Sequence, residues 1–371
     1  MFLDGVRVID FSTLLPGPYC TLRLADLGAE VIKVEPPEGD PARSRSCAIH
    51  GTGVVFLANN RNKQSVCIDL KSASGQRQAH ELLRTADVVV EGFRPGVTER
   101  LGIDYEVAKS LNPAVVYCSL TGYGQSGPLA EFAGHDLNYM ARSGMLSQLR
   151  DATGRSIVPT IQWADLLGGT VAAEEILAAL VRRQRTGEGA YLDVAMTDAL
   201  LGMQHIQALA AEEFGVETGV EELTGSLVCY SLYETRDDRL VSLAALEEKF
   251  WRVFCESVAK PGWISYQFTL TTENNPVYGE VRELFKAHDL AFWTRFGERT
   301  DCCLQPVLHT SEAMQGEHAR VRGIAFDLET ALWGNLRQVA THSMGTPGVH
   351  KRDAMKTPPQ LGQSTKKTLF D

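Results

Sequence analysis

The 371-residue sequence has no apolar run of 18 residues, so no membrane-spanning helix is expected. It is short of positive charge: 36 Lys and Arg face 46 Asp and Glu, for a formal charge of −10. That balance argues against a general nucleic-acid binder, but leaves room for a local basic site that takes an anionic ligand. Its eight cysteines include no C-x-x-C pair and no zinc-ligand spacing. The adjacent Cys302 and Cys303 are poorly placed to bridge each other, so reduced thiols and no metal site are expected. Met1–Gly5 has neither a basic stretch nor an apolar stretch of signal-peptide type, and a cytoplasmic location is expected. No G-x-G-x-x-G follows the first predicted strand, which argues against a dinucleotide site of the usual kind. No P-loop, H-E-x-x-H, Ser/His/Asp order or internal repeat is visible either.

The rest of the composition is that of a soluble globular enzyme, with 44% hydrophobic and 22% charged residues. The length predicts two domains. Val6–Phe11 reads as a strand, Tyr19–Leu27 as a helix stopped by Gly28, and Glu30–Glu35 as a second strand. This is a βαβ unit, and the alternation continues through strands at Val66–Leu70, Asp87–Glu91, Ala114–Leu120 and Tyr191–Met196. After an acidic, aperiodic stretch the pattern changes to a hairpin, Leu227–Glu234 and Arg239–Ala245, and then to helices. The expected fold class is therefore α/β: a large Rossmann-like domain over 1–210, a linker over 211–222, and a smaller α+β domain over 223–320. A Pro-, Gly- and Lys-rich tail over 321–371 is expected to return to the large domain or to a second subunit.

The chemistry concentrates between Gly122 and Gly169. A turn-rich loop, Thr121–Pro128, leads to Gly134-His135-Asp136-Leu137-Asn138-Tyr139, and Asp165 opens a long apolar helix that begins near Gly168-Gly169. His135 and Asp165 thus fall at or near helix N-termini, where backbone N–H groups can receive developing negative charge. Histidine exchanges protons near neutrality, and Asp136, Asp165 and Glu247 are carboxylates placed to orient it or to act as a second base. Two bases on opposite sides of one carbon can remove a proton and return one to the other face. The plainer uses stand beside this one: a hydrogen-bonded histidine, helix-capping aspartates and a surface glutamate. Arg61, Lys63, Arg94 and Arg100 fall near strand ends, where α/β sheets bind ligands, and suit phosphate groups.

At these residues the sequence resembles the class III CoA-transferase superfamily, and within it the α-methylacyl-CoA racemase branch. The resemblance covers nearly the whole chain. It is carried by Val6–Asp10, Leu27–Glu35, Asp69–Lys71, Glu91–Val97, Arg100–Gly102, Thr121–Pro128 and, for the racemase branch, Gly134–Tyr139, Ala164-Asp165 and Ala245-Leu246-Glu247. It implies an interlocked homodimer with active sites between the large domain of one subunit and the small domain of the other. It implies no permanent cofactor, with coenzyme A entering as part of an acyl-CoA thioester substrate. His135 and Asp165 would be the two bases, Glu247 and Asp136 their supporting carboxylates. Arg43, Lys63, Arg94 and Arg100 would bind CoA, together with Gly92 and Tyr139. In the transferase branch the residue matching Asp165 is a covalent nucleophile, and tyrosine commonly replaces His135. A non-catalytic dimeric scaffold is the alternative outside enzymology. Three departures from the family pattern stand out. Pro36 replaces an arginine that often contacts CoA, with Arg43 or Arg45 as substitutes; Asp237-Asp238 replaces Asp-Gly; and Glu248-Lys249 replaces Pro-Gln.

Overall fold

The computed structural model describes residues 1–44, 47–151, 153–342 and 355–370. It separates into two compact units, Met1–Met203 with Met314–Asp371, and Gln204–Ala313. The expected divisions lay at 210 and 320. The stretch read as one helix over Asp198–Ala211 is in fact two helices, Met196–Gly202 and His205–Phe214, and the units divide between them.

The first unit holds β1 (Arg7–Asp10), β2 (Glu30–Glu35), the two-residue strands β3 (Ala48–Ile49) and β4 (Thr52–Gly53), β5 (Lys63–Cys67), β6 (Val88–Glu91), β7 (Val116–Thr121) and β8 (Ala190–Ala195). Six of them form a parallel sheet in the order β5-β2-β1-β6-β7-β8, while β3 and β4 pair only with each other. Successive strand residues point to opposite faces, and both faces are covered. Val8, Val88 and Val90 pack with Leu24, Ala172 and Ile176 from the helices Pro16–Asp26 and Trp163–Thr186. Ile9, Val89 and Tyr117 pack on the other side with Leu82 and Leu83 of the helix Ala73–Arg84. Such strands need continuous β-branched runs, and Val88-Val89-Val90 is one. The helices Pro16–Asp26 and Trp163–Thr186 approach closely because Gly169 has no side chain. A Cβ there would lie 2.6 Å from the Pro16 carbonyl oxygen.

Strand order reverses between β1 and β6. The chain goes from β1 outward to β2 and β5, then returns to β6 and continues outward to β7 and β8. Ligands of open α/β sheets bind in the crevice that such a reversal opens at the carboxyl ends of the strands.

The tail returns to this unit. Ser364 N–H bonds Ser65 C=O at 2.9 Å, Gly362 N–H bonds Ser65 Oγ at 2.9 Å and Cys67 N–H bonds Thr365 Oγ1 at 3.0 Å, so residues 362–365 lie along β5. β5 is an edge strand, and covering it removes an exposed row of backbone groups. The motif Gly345–Gly348 lies outside the described residues. The stretch expected as a Pro-, Gly- and Lys-rich tail also contains a hairpin, β12 (Ala325–Thr330) and β13 (Gly334–Val339), with Gly334 in the left-handed conformation (φ 69°) after its turn. The intervening strands β9 (Tyr230–Glu234), β10 (Leu240–Ala244) and β11 (Leu304–Pro306) form an antiparallel sheet in the second unit. Its core is aromatic: Trp251, Phe254, Phe285 and Trp293 are buried, with Phe285 and Trp293 ring centroids 4.7 Å apart. Asp238 takes the left-handed conformation (φ 55°) in the β9–β10 turn where the family pattern has glycine.

Candidate active site

A cleft of about 220 Å³ opens at the sheet's reversal point. The loops after β1, β6 and β7 supply Thr13, Gly92, Arg94 and Gly122, and the later elements supply His135, Tyr139 and Asp165. The two expected bases are thus brought to one cleft from separate elements. His135 is the N-cap of the helix Asp136–Arg142, and Asn138 Oδ1 accepts its backbone N–H at 3.1 Å. Asp165 lies in the first turn of Trp163–Thr186.

Asp136 connects them. Its Oδ1 accepts the amide N–H groups of Ala164 at 2.7 Å and Asp165 at 3.2 Å, so it caps the helix that carries Asp165 rather than its own. Its own carboxyl is pushed up by burial and held back by those two amides. The Asp165 carboxyl is pushed up to about 7, first by burial and then by the Asp136 charge. The expectation that this helix N-terminus would donate to a developing oxyanion is corrected. Trp163 and Leu166 N–H bond to Ile161 and Gln162 C=O, and Asp136 takes the two amides between them. The first four amides of the helix are therefore already committed.

Tyr139 holds the His135 loop. Its hydroxyl donates to Gly134 C=O at 2.6 Å, and its ring meets Tyr123 edge-on at 5.0 Å. Burial, with the Asp165 charge second, pushes the phenol up to about 12. The ring fills the space beside Gly122 and Gly134, where a Cβ would lie 2.2 Å and 2.6 Å from its atoms. Glu247 stands in the second unit, exposed, as the N-cap of the helix Glu248–Ser257.

The expected CoA cations divide into two groups. Arg94 and Arg100 are exposed and, among the described residues, their guanidinium groups make no hydrogen bond or ion pair; Arg94 lines the cleft. Lys63 is enclosed. Its Nζ donates to Pro18 C=O and Thr21 Oγ1 at 2.8 Å and to Asn60 Oδ1 at 2.9 Å, with Asp10 Oδ2 at 3.3 Å. Burial draws its amine down to about 8. Arg43 grips the buried Glu35 carboxylate with two bonds of 2.7 Å, bonds Pro359 C=O at 3.1 Å and lies 3.6 Å over the Phe56 ring. Arg61 pairs with buried Asp26 and reaches Gln338 and Val339. Lys63, Arg43 and Arg61 are thus fastened into the framework, Lys63 with every donor engaged and both arginines held by a buried carboxylate. Arg45 lies outside the described residues.

Sequence reading missed a second, apolar cavity of about 430 Å³ at the ends of β1, β2 and β5, lined by Val34, Pro36, Ile68, Leu70, Lys71 and Phe93 among others. Thr13 and Phe93 line both cavities, so the two adjoin. The available signal was the rule that ligands sit beyond strand ends, applied to the Ser12–Pro18 turn. Among the described residues no cluster could hold a metal ion, and no helix is long and apolar enough to cross a membrane. All eight cysteines are free thiols.

The family model for CoA-transferase family III matches residues 3–365. The chain belongs to CoA-transferase family III. Family III proteins act on CoA thioesters, so CoA enters as part of the substrate. The chain is 31% identical to mouse succinyl-CoA:glutarate CoA-transferase over 99% of its own length and 85% of the relative's. It is also 31% identical to human alpha-methylacyl-CoA racemase, over 87% of this chain and 82% of that protein. The crystal structure of Rv3272 from Mycobacterium tuberculosis superposes with a TM-score of 0.84 at 27% identity, covering 99% of both chains. Both reactions are therefore represented among similar proteins, at the same identity.

Proposed function

We propose that this family III member is an acyl-CoA racemase acting on a 2-methylacyl-CoA thioester. The observation that carries the reading is that His135 and Asp165 line one cleft from two different elements, with the Asp165 carboxyl near 7. At neutral pH such a carboxyl is present in both forms, as a group that takes a proton in one direction and gives one in the other must be. Asp165 carboxylate removes the α-proton on one face, and the C–H electron pair moves into the thioester carbonyl to give an enolate. His135, as imidazolium, protonates the opposite face. The reverse reaction exchanges the roles.

The cleft is smaller than the ~300–1,000 Å³ usual for ligand sites, so it suits the acyl end alone. The adjoining apolar cavity suits the adenine of CoA, with Thr13 and Phe93 flanking the passage, and Arg94, Arg100 and Lys71 are the cations placed for its phosphates. In this reading the enzyme is a homodimer, and a second copy brings its Glu247 to His135. Leu201, Met203, Ile206, Leu209 and Phe214 are each more than 40% exposed, apolar surface of the kind a partner covers.

Incubation of a 2-methylacyl-CoA with the protein in D2O is expected to place deuterium on the α-carbon with no acyl acceptor present. Acyl transfer to a free acid through a hydroxylamine-sensitive Asp165 adduct, without α-deuteration, would replace this reading with that of a transferase. Absence of CoA binding at millimolar ligand would leave a non-catalytic scaffold.

A further inference from the structure

Leu14 is a non-glycine residue held in the left-handed region (φ 66°), in the Ser12–Leu14 loop that lines the cleft. Such a conformation is costly for leucine and persists only where its surroundings over-determine it. Here they do. Asp40 Oδ1 accepts Leu14 N–H at 3.1 Å and Ala42 N–H at 2.8 Å. Asp40 Oδ2 lies 2.8 Å from Lys33 Nζ, and both side chains are wholly buried. Lys33 Nζ donates to Ser12 C=O at 2.8 Å, and Asp10 Oδ1 accepts Ser12 N–H at 3.0 Å as well as its hydroxyl. Each charge faces an opposite one: Asp10 and Asp40 beside Lys33 and Lys63, with Glu35 answered by Arg43. Buried ion pairs add little net stability, so a cluster of them around one strained loop asks for another explanation.

We propose that Asp40 and Lys33 are positioning residues that clamp the Ser12–Leu14 loop in its strained form and so shape the passage between the two cavities for the substrate's thioester arm. Thr13, the middle residue of the clamped loop, is one of the residues common to both cavities. The inference rests on the reading that a CoA thioester occupies them. It is independent of the choice between racemase and transferase, because the clamp acts on binding and not on proton or acyl transfer.

The test is the charge-neutral pair Lys33→Met/Asp40→Leu, which leaves no uncompensated buried charge and, unlike asparagine, leaves no oxygen at position 40 to accept the Leu14 N–H. Amide hydrogen exchange of residues 12–15 is expected to quicken while β7 stays protected. The Kd for CoA and the KM for the thioester should rise about tenfold, the scale of one strained backbone conformation. The kcat should be unchanged, as for lost uniform binding. Adding Leu14→Gly should restore about threefold of the loss, since glycine takes φ > 0 without a clamp. Unchanged exchange, unchanged Kd or no rescue overturns the proposal. Quickened exchange in a protein whose wild type binds no CoA upholds the clamp and overturns the CoA reading instead. A second comparison needs no change in charge. With the clamp intact, Leu14→Ala and Leu14→Gly should bind CoA alike, because the clamp fixes the backbone whichever residue is there. If the Leu14→Ala protein binds about tenfold more weakly than the Leu14→Gly protein, this position sets the loop by its own backbone preference and the proposal falls.

Discussion

Replacing Asp136 with asparagine separates its two actions on Asp165. The asparagine Oδ1 can still accept the Ala164 and Asp165 amides, now 2.7 and 3.2 Å from the carboxylate, so the start of the helix stays capped. The negative charge is lost. The Asp165 carboxyl rises from its ordinary 3.8 to about 7 for two reasons, and burial is the larger. The Asp136 charge therefore accounts for less than half, and its removal should bring the carboxyl down by at most about 1.5 pH units. Asp165 works as a base only when ionised, so exchange of the enantiomer it deprotonates should switch on as pH rises through about 7 in the wild type. In Asp136→Asn that limb should lie lower, between about pH 5.5 and 6.5, with the plateau rate reduced because a weaker base drives the transfer less. The assay is deuterium incorporation against pH, followed by mass spectrometry with the enantiomer that His135→Ala still exchanges. A limb that stays at 7 or moves upward would refute the assigned coupling between the two carboxylates.

His135→Ala should lower α-deuteration by about 10²–10⁴-fold and confine what remains to one face, checked by chiral analysis of the released acid. Asp165→Asn should raise Tm by about 2–4 °C at pH 8 and not at pH 4. A carboxyl raised by folding holds its proton longer in the native state, so its ionisation between pH 4 and 7 opposes folding, and asparagine removes that penalty. Arg43→Ala should cost about 3–5 kcal/mol in denaturant melts, because it strands the buried Glu35 carboxylate and releases the tail at Pro359. Arg94→Ala should leave stability within about 0.5 kcal/mol and weaken CoA binding in calorimetry. Gly122→Ala should destabilise by about 1–3 kcal/mol, since the new methyl would overlap the buried Tyr139 ring.

Local patterns decided much of this protein from sequence alone. Glu30–Glu35 lies where the sequence pattern put it, and the strand read over Asp87–Glu91 is Val88–Glu91, because a buried strand is specified by the apolar run within its own span. The placement of His135 and Asp165 at helix starts was legible for the same reason, and motifs spread along the whole chain were enough to indicate the family. What needed tertiary structure were the partners. Asp136 caps a helix that begins 27 residues later, and no local rule names that acceptor. Lys63 and Arg43 look like surface cations in sequence, since charge is usually solvated. Only the closure of β1, β2 and β5 around Asp10 and Glu35 encloses Lys63 and ties Arg43 to Glu35. The apolar cavity beyond those strands is likewise absent from any single segment. It exists because the segments after β1, β2 and β5 meet beyond their strand ends, and that meeting is a property of the assembled sheet.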